Sequence, residues 1–164
     1  VEAIVLALNA QSGKQFYSKT HQLVIDRKQI IITELSDTYS EVFKIDVLTK
    51  TIDFPLRLQF GNSQDNELIH DVNCAQLDFD KLKFPLVLRK WESGDKFIPL
   101  GMTKYKKLSD FFIDNKFSIY DKQQQWLLCS GNDIVWVVGH RIDDRYKLQQ
   151  ITKNVYLAKL LKLN

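Results

Sequence analysis

Between Arg89 and Lys147 the chain places Arg89, Lys96, Lys106, Lys107, Lys116, Arg141, Arg145 and Lys147 around its turns and one apolar strand. No activated nucleophile, metal cluster or phosphate loop accompanies them. Cations in that setting suit the holding of an anion, with RNA as the leading candidate.

Lys106 and Lys107 stand just before Ser109, which reads as the N-cap of a helix over 109–116. Asp110 would then take the first helical position, and Leu108 and Ile113 the two hydrophobic-staple positions. Cations at that end cost a helix about 0.3–1 kcal/mol each. Their placement makes sense if a phosphate docks on them and on the free N–H groups of the first turn. The alternative is a Lys106–Asp110 ion pair, worth about 0.2–0.5 kcal/mol.

If the chain stays extended beyond Gly139, alternation puts Arg141, Asp143, Arg145 and Lys147 on one face. The cations would then be about 6.6 Å apart where two residues separate them, and the Arg fork would suit phosphate oxygens. The alternative pairs Arg141 and Arg145 with Asp143 as a self-neutralised surface strand. Lys96 lies between the turn residues Gly94-Asp95 and Pro99-Leu100-Gly101, with Arg89 behind. Of the aromatics that could stack on bases, Trp91, Phe97, Tyr105, Trp126 and Tyr146, only Tyr105, flanked by Lys104 and Lys106, reads as exposed.

Other chemistries are weaker. Ser12-Gly13-Lys14 lacks the first glycine of a nucleotide loop, and Gln15 stands where a hydroxyl would hold magnesium. Cys74 and Cys129 form no C-x-x-C pair, and His21, His70 and His140 share no zinc spacing, so they read as ordinary thiols and structural or surface histidines. Asp110, Asp114, Asp143 and Asp144 show no organised acid/base arrangement.

The elements that must position these residues are mostly strands. The chain has 164 residues, 45% of them hydrophobic, enough for one domain or two small ones. A short helix is expected around Ile4–Leu8, closed by the Asn9–Gly13 turn. Strands are expected at 23–26 and 29–34 as a hairpin across Arg27-Lys28, then at 42–47, 56–60 and 67–72, with Gly61-Asn62-Ser63 as a turn. Beyond a composition change at Lys81–Pro85 come strands at 86–91, 134–138 and 155–161, the last followed by a basic terminus. Strand 134–138 is apolar throughout, as in a strand buried on both faces, and Gly139 ends it. The net charge of +3 conceals an asymmetry: nine Lys+Arg against twelve Asp+Glu before Pro85, then fourteen against eight. No apolar run reaches the roughly 20 residues that cross a bilayer, and the start lacks a signal peptide's basic region, so a cytoplasmic protein without membrane association is expected. That start also reads as a helix cut from a longer chain.

The ordered series Gly94-Asp95-Lys96-Phe97-Ile98-Pro99-Leu100-Gly101-Met102, then Lys106-Lys107-Leu108-Ser109-Asp110-Phe111-Phe112-Ile113-Asp114, then Ile134 to Asp143 with Arg145 and Lys147, resembles the C-terminal region of the tRNA(Ile)-lysidine synthetases. Residues 86–147 carry the likeness strongly, and the earlier segments at 8–18 and 23–27 carry it weakly. Lys104 stands where that family commonly has glycine, Lys122 where it has arginine, and Ser118 and Trp126 where it has proline. The resemblance implies an α+β fold, strand-rich with antiparallel sheets and few short helices, similar to a domain of the phenylalanyl-tRNA synthetase β subunit. It divides the chain into a middle or linker subdomain, 1–84, and a C-terminal tRNA-binding domain, 85–164. It implies a non-catalytic part that holds tRNA(Ile) with a CAU anticodon, on its acceptor stem. A separate N-terminal domain, with ATP, magnesium and lysine, would join lysine to the wobble cytidine. The family's S-G-G-x-D-S loop is missing from this sequence, so no cofactor is expected on this chain. The expected phosphate contacts are Lys106, Lys107, Lys116, Arg141, Arg145 and Lys147, with Arg89 and Lys96 behind them. The rival expectation is a scaffold that docks on its own catalytic half or forms a homodimer. A hydrolytic editing domain is a third, and it lacks a catalytic constellation.

Overall fold

Two β-branched runs, one on each side of residues 27–28, pair to give the first sheet its hairpin. The computed structural model describes residues 14–26, 29–34, 41–65 and 67–161. In it β1 (Gln15–Tyr17) pairs with β2 (His21–Asp26), and β2 pairs antiparallel with β3 (Gln29–Glu34), Asp26 opposite Gln29. The helix expected at Ile4–Leu8, its closing turn, Ser12-Gly13, Arg27-Lys28 and the last residues of the basic terminus lie outside the described residues.

The remaining elements are β4 (Phe43–Ile45), β5 (Thr51–Ile52), β6 (Leu58–Ser63), β7 (Cys74–Asp78), β8 (Leu86–Lys90), β9 (Lys96–Phe97), β10 (Lys106–Lys107), α1 (Leu108–Asp114), α2 (Ile119–Gln124), β11 (Trp126–Ser130), β12 (Asp133–Val137), β13 (Arg141–Ile142) and β14 (Val155–Leu160). One sheet has the order β13-β12-β11-β8-β4 and another β5-β6-β14-β7, with every described pairing antiparallel. The α+β, strand-rich architecture is the expected one. No helix among the described residues is long and apolar enough to cross a membrane.

Pleating explains why the central strands carry apolar residues on both faces. Trp126 and Leu128 of β11 join Leu58, Phe60, Leu77 and Tyr156 in one core, while Leu127 and Cys129 point the other way, into a core with Phe97, Leu108, Phe111 and Phe112. The second core exists because α1 covers that face, and it fixes α1 against β9.

Local expectations fail where distant pairing prevails. Gly61-Asn62-Ser63 is not a turn but the end of β6, because β14 lays Leu157, Tyr156 and Val155 opposite these residues. Residues 67–72 are not a strand, since β7 begins only at Cys74. Buried Gln76 holds that segment instead, accepting from the Ile69 N–H at 2.7 Å and donating to the Glu67 carbonyl at 2.8 Å. The expected division at residues 84/85 separates neither sheet: β4 lies beside β8, and β14 lies between β6 and β7.

The helix near Ser109 also differs at its start. Lys107 occupies the cap position with no side-chain cap, because the Leu108 N–H donates to the Asp95 carbonyl at 2.8 Å. Leu108 is buried and Ile113 is 64% exposed, so these two do not close a staple. The capping box occurs one helix later. The Ser118 hydroxyl accepts from the Asp121 N–H at 3.0 Å, and the Asp121 carboxylate accepts from the Ser118 N–H at 2.9 Å.

Candidate nucleic-acid interface

The two-stranded ribbon of β9 and β10 pairs Lys106 with Phe97 and Lys107 with Lys96. Phe97 is fully buried, so its neighbours on the opposite face, Lys96 and Lys107, point outward, and both are exposed. Directly opposed residues have Cβ atoms about 4.5–5.5 Å apart, and like charges so placed are destabilising. Neither ammonium has a carboxylate partner among the described residues. An anion laid across the ribbon would relieve both.

Tyr105, 54% exposed, leads into this ribbon. The Lys96 ammonium lies 5.1 Å from its ring centre and the Arg145 guanidinium carbon 5.2 Å, within cation–π range. Arg145 Nη1 also donates to the Tyr105 hydroxyl at 3.0 Å. A ring held by two cations is a platform on which a base could stack beside bound phosphate.

Two braces hold the ribbon in place. Arg89 grips Asp95 through two 2.8 Å bonds, and Asp95 accepts the Glu92 N–H at 2.7 Å, which fixes the turn through Gly94 (φ +96°). Burial pushes the Asp95 carboxyl up, but the Arg89 hydrogen bond, the Glu92 N–H and the guanidinium charge outweigh it and hold its pKa below the ordinary value. The second brace zips residues 98–101 onto 142–144. The Leu100 N–H donates to the Ile142 carbonyl at 3.0 Å, the Asp144 N–H to the Ile98 carbonyl at 2.7 Å, and the Gly101 N–H to the Asp144 carboxylate at 2.8 Å.

Asp143 is the hub of that second brace. It is fully buried and accepts from the Ile98 N–H, the Arg145 N–H, Arg145 Nε and Arg145 Nη2, each at 2.9 Å. Arg145 Nη1 reaches Asp133 at 2.9 Å, and these carboxylates, the Asp143 hydrogen bond foremost, raise the Arg145 pKa further. The row of cations expected along an extended strand therefore does not form. The chain leaves β13 at Ile142, and Asp143 caps a 3-10 turn at Asp144–Tyr146.

The expected contacts thus divide into two groups. Arg89, Lys106, Arg145 and Lys147 are bound in ion pairs, with Asp95, Asp114, Asp143 and Asp144 respectively. Lys106 finds Asp114, not the Asp110 expected from helical spacing, because it precedes the helix on a strand. Lys96, Lys107, Lys116 and Arg141 are exposed, and among the described residues the only side-chain bond of Arg141 is to the Leu100 carbonyl at 3.3 Å. Lys116 stands at the far end of α1, in the left-handed region at φ +57°, away from the cap position of Lys107. Sequence reasoning left out Lys104, exposed beside Tyr105, although the run Lys104-Tyr105-Lys106-Lys107 is visible by eye. It also missed Lys81, which donates to the Arg145 carbonyl at 2.9 Å from a part of the chain no local pattern connects to it.

The groups that would serve other chemistry are poorly placed for it. Burial pushes the Cys129 thiol up to about 11, away from a reactive thiolate. Among the described residues no three His, Cys, Asp or Glu side chains converge as metal ligands.

Comparison with known proteins gives the chain's family and fold. The model of the TilS substrate binding domain matches residues 1–35, and that of the TilS substrate C-terminal domain matches residues 86–158. The tRNA(Ile)-lysidine synthase of Parabacteroides distasonis is 44% identical over 161 residues, covering 96% of this chain and 37% of that protein. That of Bacteroides thetaiotaomicron is 34% identical over 161 residues, covering 98% of this chain and 36% of that protein. The chain spans little more than a third of the length of these relatives. A crystal structure of a TilS C-terminal domain shares the fold, with a TM-score of 0.64 at 16% identity, covering 76% of this chain and 99% of that one.

Proposed function

Since the chain belongs to the tRNA(Ile)-lysidine synthase family and matches its C-terminal domain, we propose that it is the tRNA-holding part of such a ligase. In this reading it binds tRNA(Ile) by its phosphates and orients it. Lysine is joined to the wobble cytidine, at the expense of ATP, in another part of the enzyme. The observation that carries the reading is the outward-facing pair Lys96 and Lys107, opposed on one ribbon with no carboxylate partner among the described residues. Lys104 and Arg141 extend this charge, and Tyr105 offers a stacking face. Arg145, Arg89 and Lys147 act one step behind, by holding the loops that present these groups.

The test is a gel-shift titration with tRNA at several salt concentrations. If Lys96, Lys104, Lys107 and Arg141 each meet a phosphate, log Kd against log salt should have a slope of roughly 3–4, using the duplex DNA coefficient. Lys96→Ala with Lys107→Ala should weaken binding and reduce that slope by about 2. Unchanged affinity in the double variant would favour a scaffold that meets protein and not RNA.

A further inference from the structure

Beside the ribbon opens a cleft of about 480 Å³, lined by Leu68 and Val72 from the 67–73 segment together with Leu100, Ile142, Leu148 and Trp136. Leu68, Val72 and Leu100 are 61%, 59% and 40% exposed, so the cleft presents apolar surface to solvent. Its size falls within the range of roughly 300–1,000 Å³ usual for small-ligand sites. The 67–73 segment is anchored, since the buried Gln76 amide uses both its ends on the backbone of Ile69 and Glu67. Asp71, the one carboxylate in the lining, is taken up by the Asn73 N–H at 2.9 Å and the Asn73 amide at 3.0 Å.

Two cations, Arg141 and Lys147, also line the cleft. Lys147 is engaged with Asp144, but Arg141 is exposed and, among the described residues, bonded only to the Leu100 carbonyl, so most of its N–H fork can meet another group. Leu100, in the cleft lining, follows by three residues the strand β9 that carries Lys96 and Phe97. An apolar slot beside a guanidinium, next to a surface suited to phosphates, matches a flat base with its own phosphate. We propose that this cleft receives an unpaired nucleotide of the bound RNA, its base against the apolar lining and its phosphate on Arg141. The proposal rests on the RNA-binding reading above and adds to it a preference for RNA with an unstacked end or bulge.

The test compares two RNA hairpins, one blunt and one carrying a short unpaired 3′ end, by gel shift against the whole chain. The variants are Leu68→Ser with Val72→Ser, which alters exposed positions and no charge, and Lys96→Ala with Lys107→Ala. The wild type should bind the overhang hairpin more tightly. The serine variant should lose roughly tenfold on it, the scale of one lost base contact, and leave the blunt hairpin unchanged. A wild type that binds both hairpins equally, or a serine variant with its preference intact, overturns the cleft and leaves the ribbon standing. A lysine variant that binds both hairpins as the wild type does would overturn the RNA reading itself, and the cleft with it.

Discussion

Replacing Arg145 with Met keeps an unbranched apolar stem but removes the guanidinium, which strips Asp143 of two of its four hydrogen bonds. Asp143 is fully buried, and the Arg145 side chain is 31% exposed. Breaking a buried pair from one side costs about 3–5 kcal/mol, because the remaining charge has lost its partner. Two backbone N–H donors still reach Asp143, and Arg145 is partly solvated, so a cost of about 2–3 kcal/mol is expected here. In a chain of this size each kcal/mol lowers Tm by roughly 2–4 °C, so the loss should be roughly 4–12 °C in a thermal melt at pH 7. Arg145→Lys should recover only part of it, since an ammonium keeps the charge but cannot make the two-pronged contact. Lys96→Ala with Lys107→Ala should change stability by no more than about 0.5 kcal/mol per site. An Arg145→Met protein melting within about 1 °C of the wild type would refute the claim that the Asp143–Arg145 pair locks the interface loops.

Two further predictions concern pH. Asp95 and Asp144 are held below their ordinary values, Asp144 by the Gly101 N–H and Lys147. Their stabilisation is therefore full above the unfolded value near 4 and is lost as pH falls through the lower folded values. Urea melts between pH 2 and 5 should show this decline, less steeply in Asp95→Asn. Lys90 behaves oppositely: burial lowers its pKa to about 8 from an ordinary 10.5, with its ammonium 4.5 Å from the centre of the Trp126 ring. The folded state then holds fewer protons than the unfolded one between these values, so this group's contribution to stability rises with pH across that window. Lys90→Met should flatten the rise and melt no lower than the wild type at pH 7, as read by melts from pH 7 to 10.

Which signals survived the structure follows from how local they were. The β2–β3 hairpin, strand β12 with Gly139 at its end, and exposed Tyr105 were legible because each is written in a few adjacent residues. The true helix start was not, because the Asp95 carbonyl accepts the Leu108 N–H and the helix begins there, one residue before Ser109. Strand expectations at 67–72 and the turn at Gly61 failed for one reason: β14, nearly a hundred residues later, decides which residues of β6 and β7 are paired.

The sequence by itself determined the chemical repertoire of this protein: cations, turns and aromatics, an excess of positive charge in the second half, and apolar strands that had to be buried. It also carried the family, in a long ordered series of residues. Only the tertiary structure decided which cations face solvent. Arg145 and Lys147 are equal to Lys96 and Lys107 on paper, yet the first two pair with Asp143 and Asp144 while the others meet no carboxylate among the described residues. That choice depends on the 3-10 turn that brings Asp143 and Asp144 back onto side chains two and three residues later, and the fall of charge–charge energy with distance lets folding alone settle it.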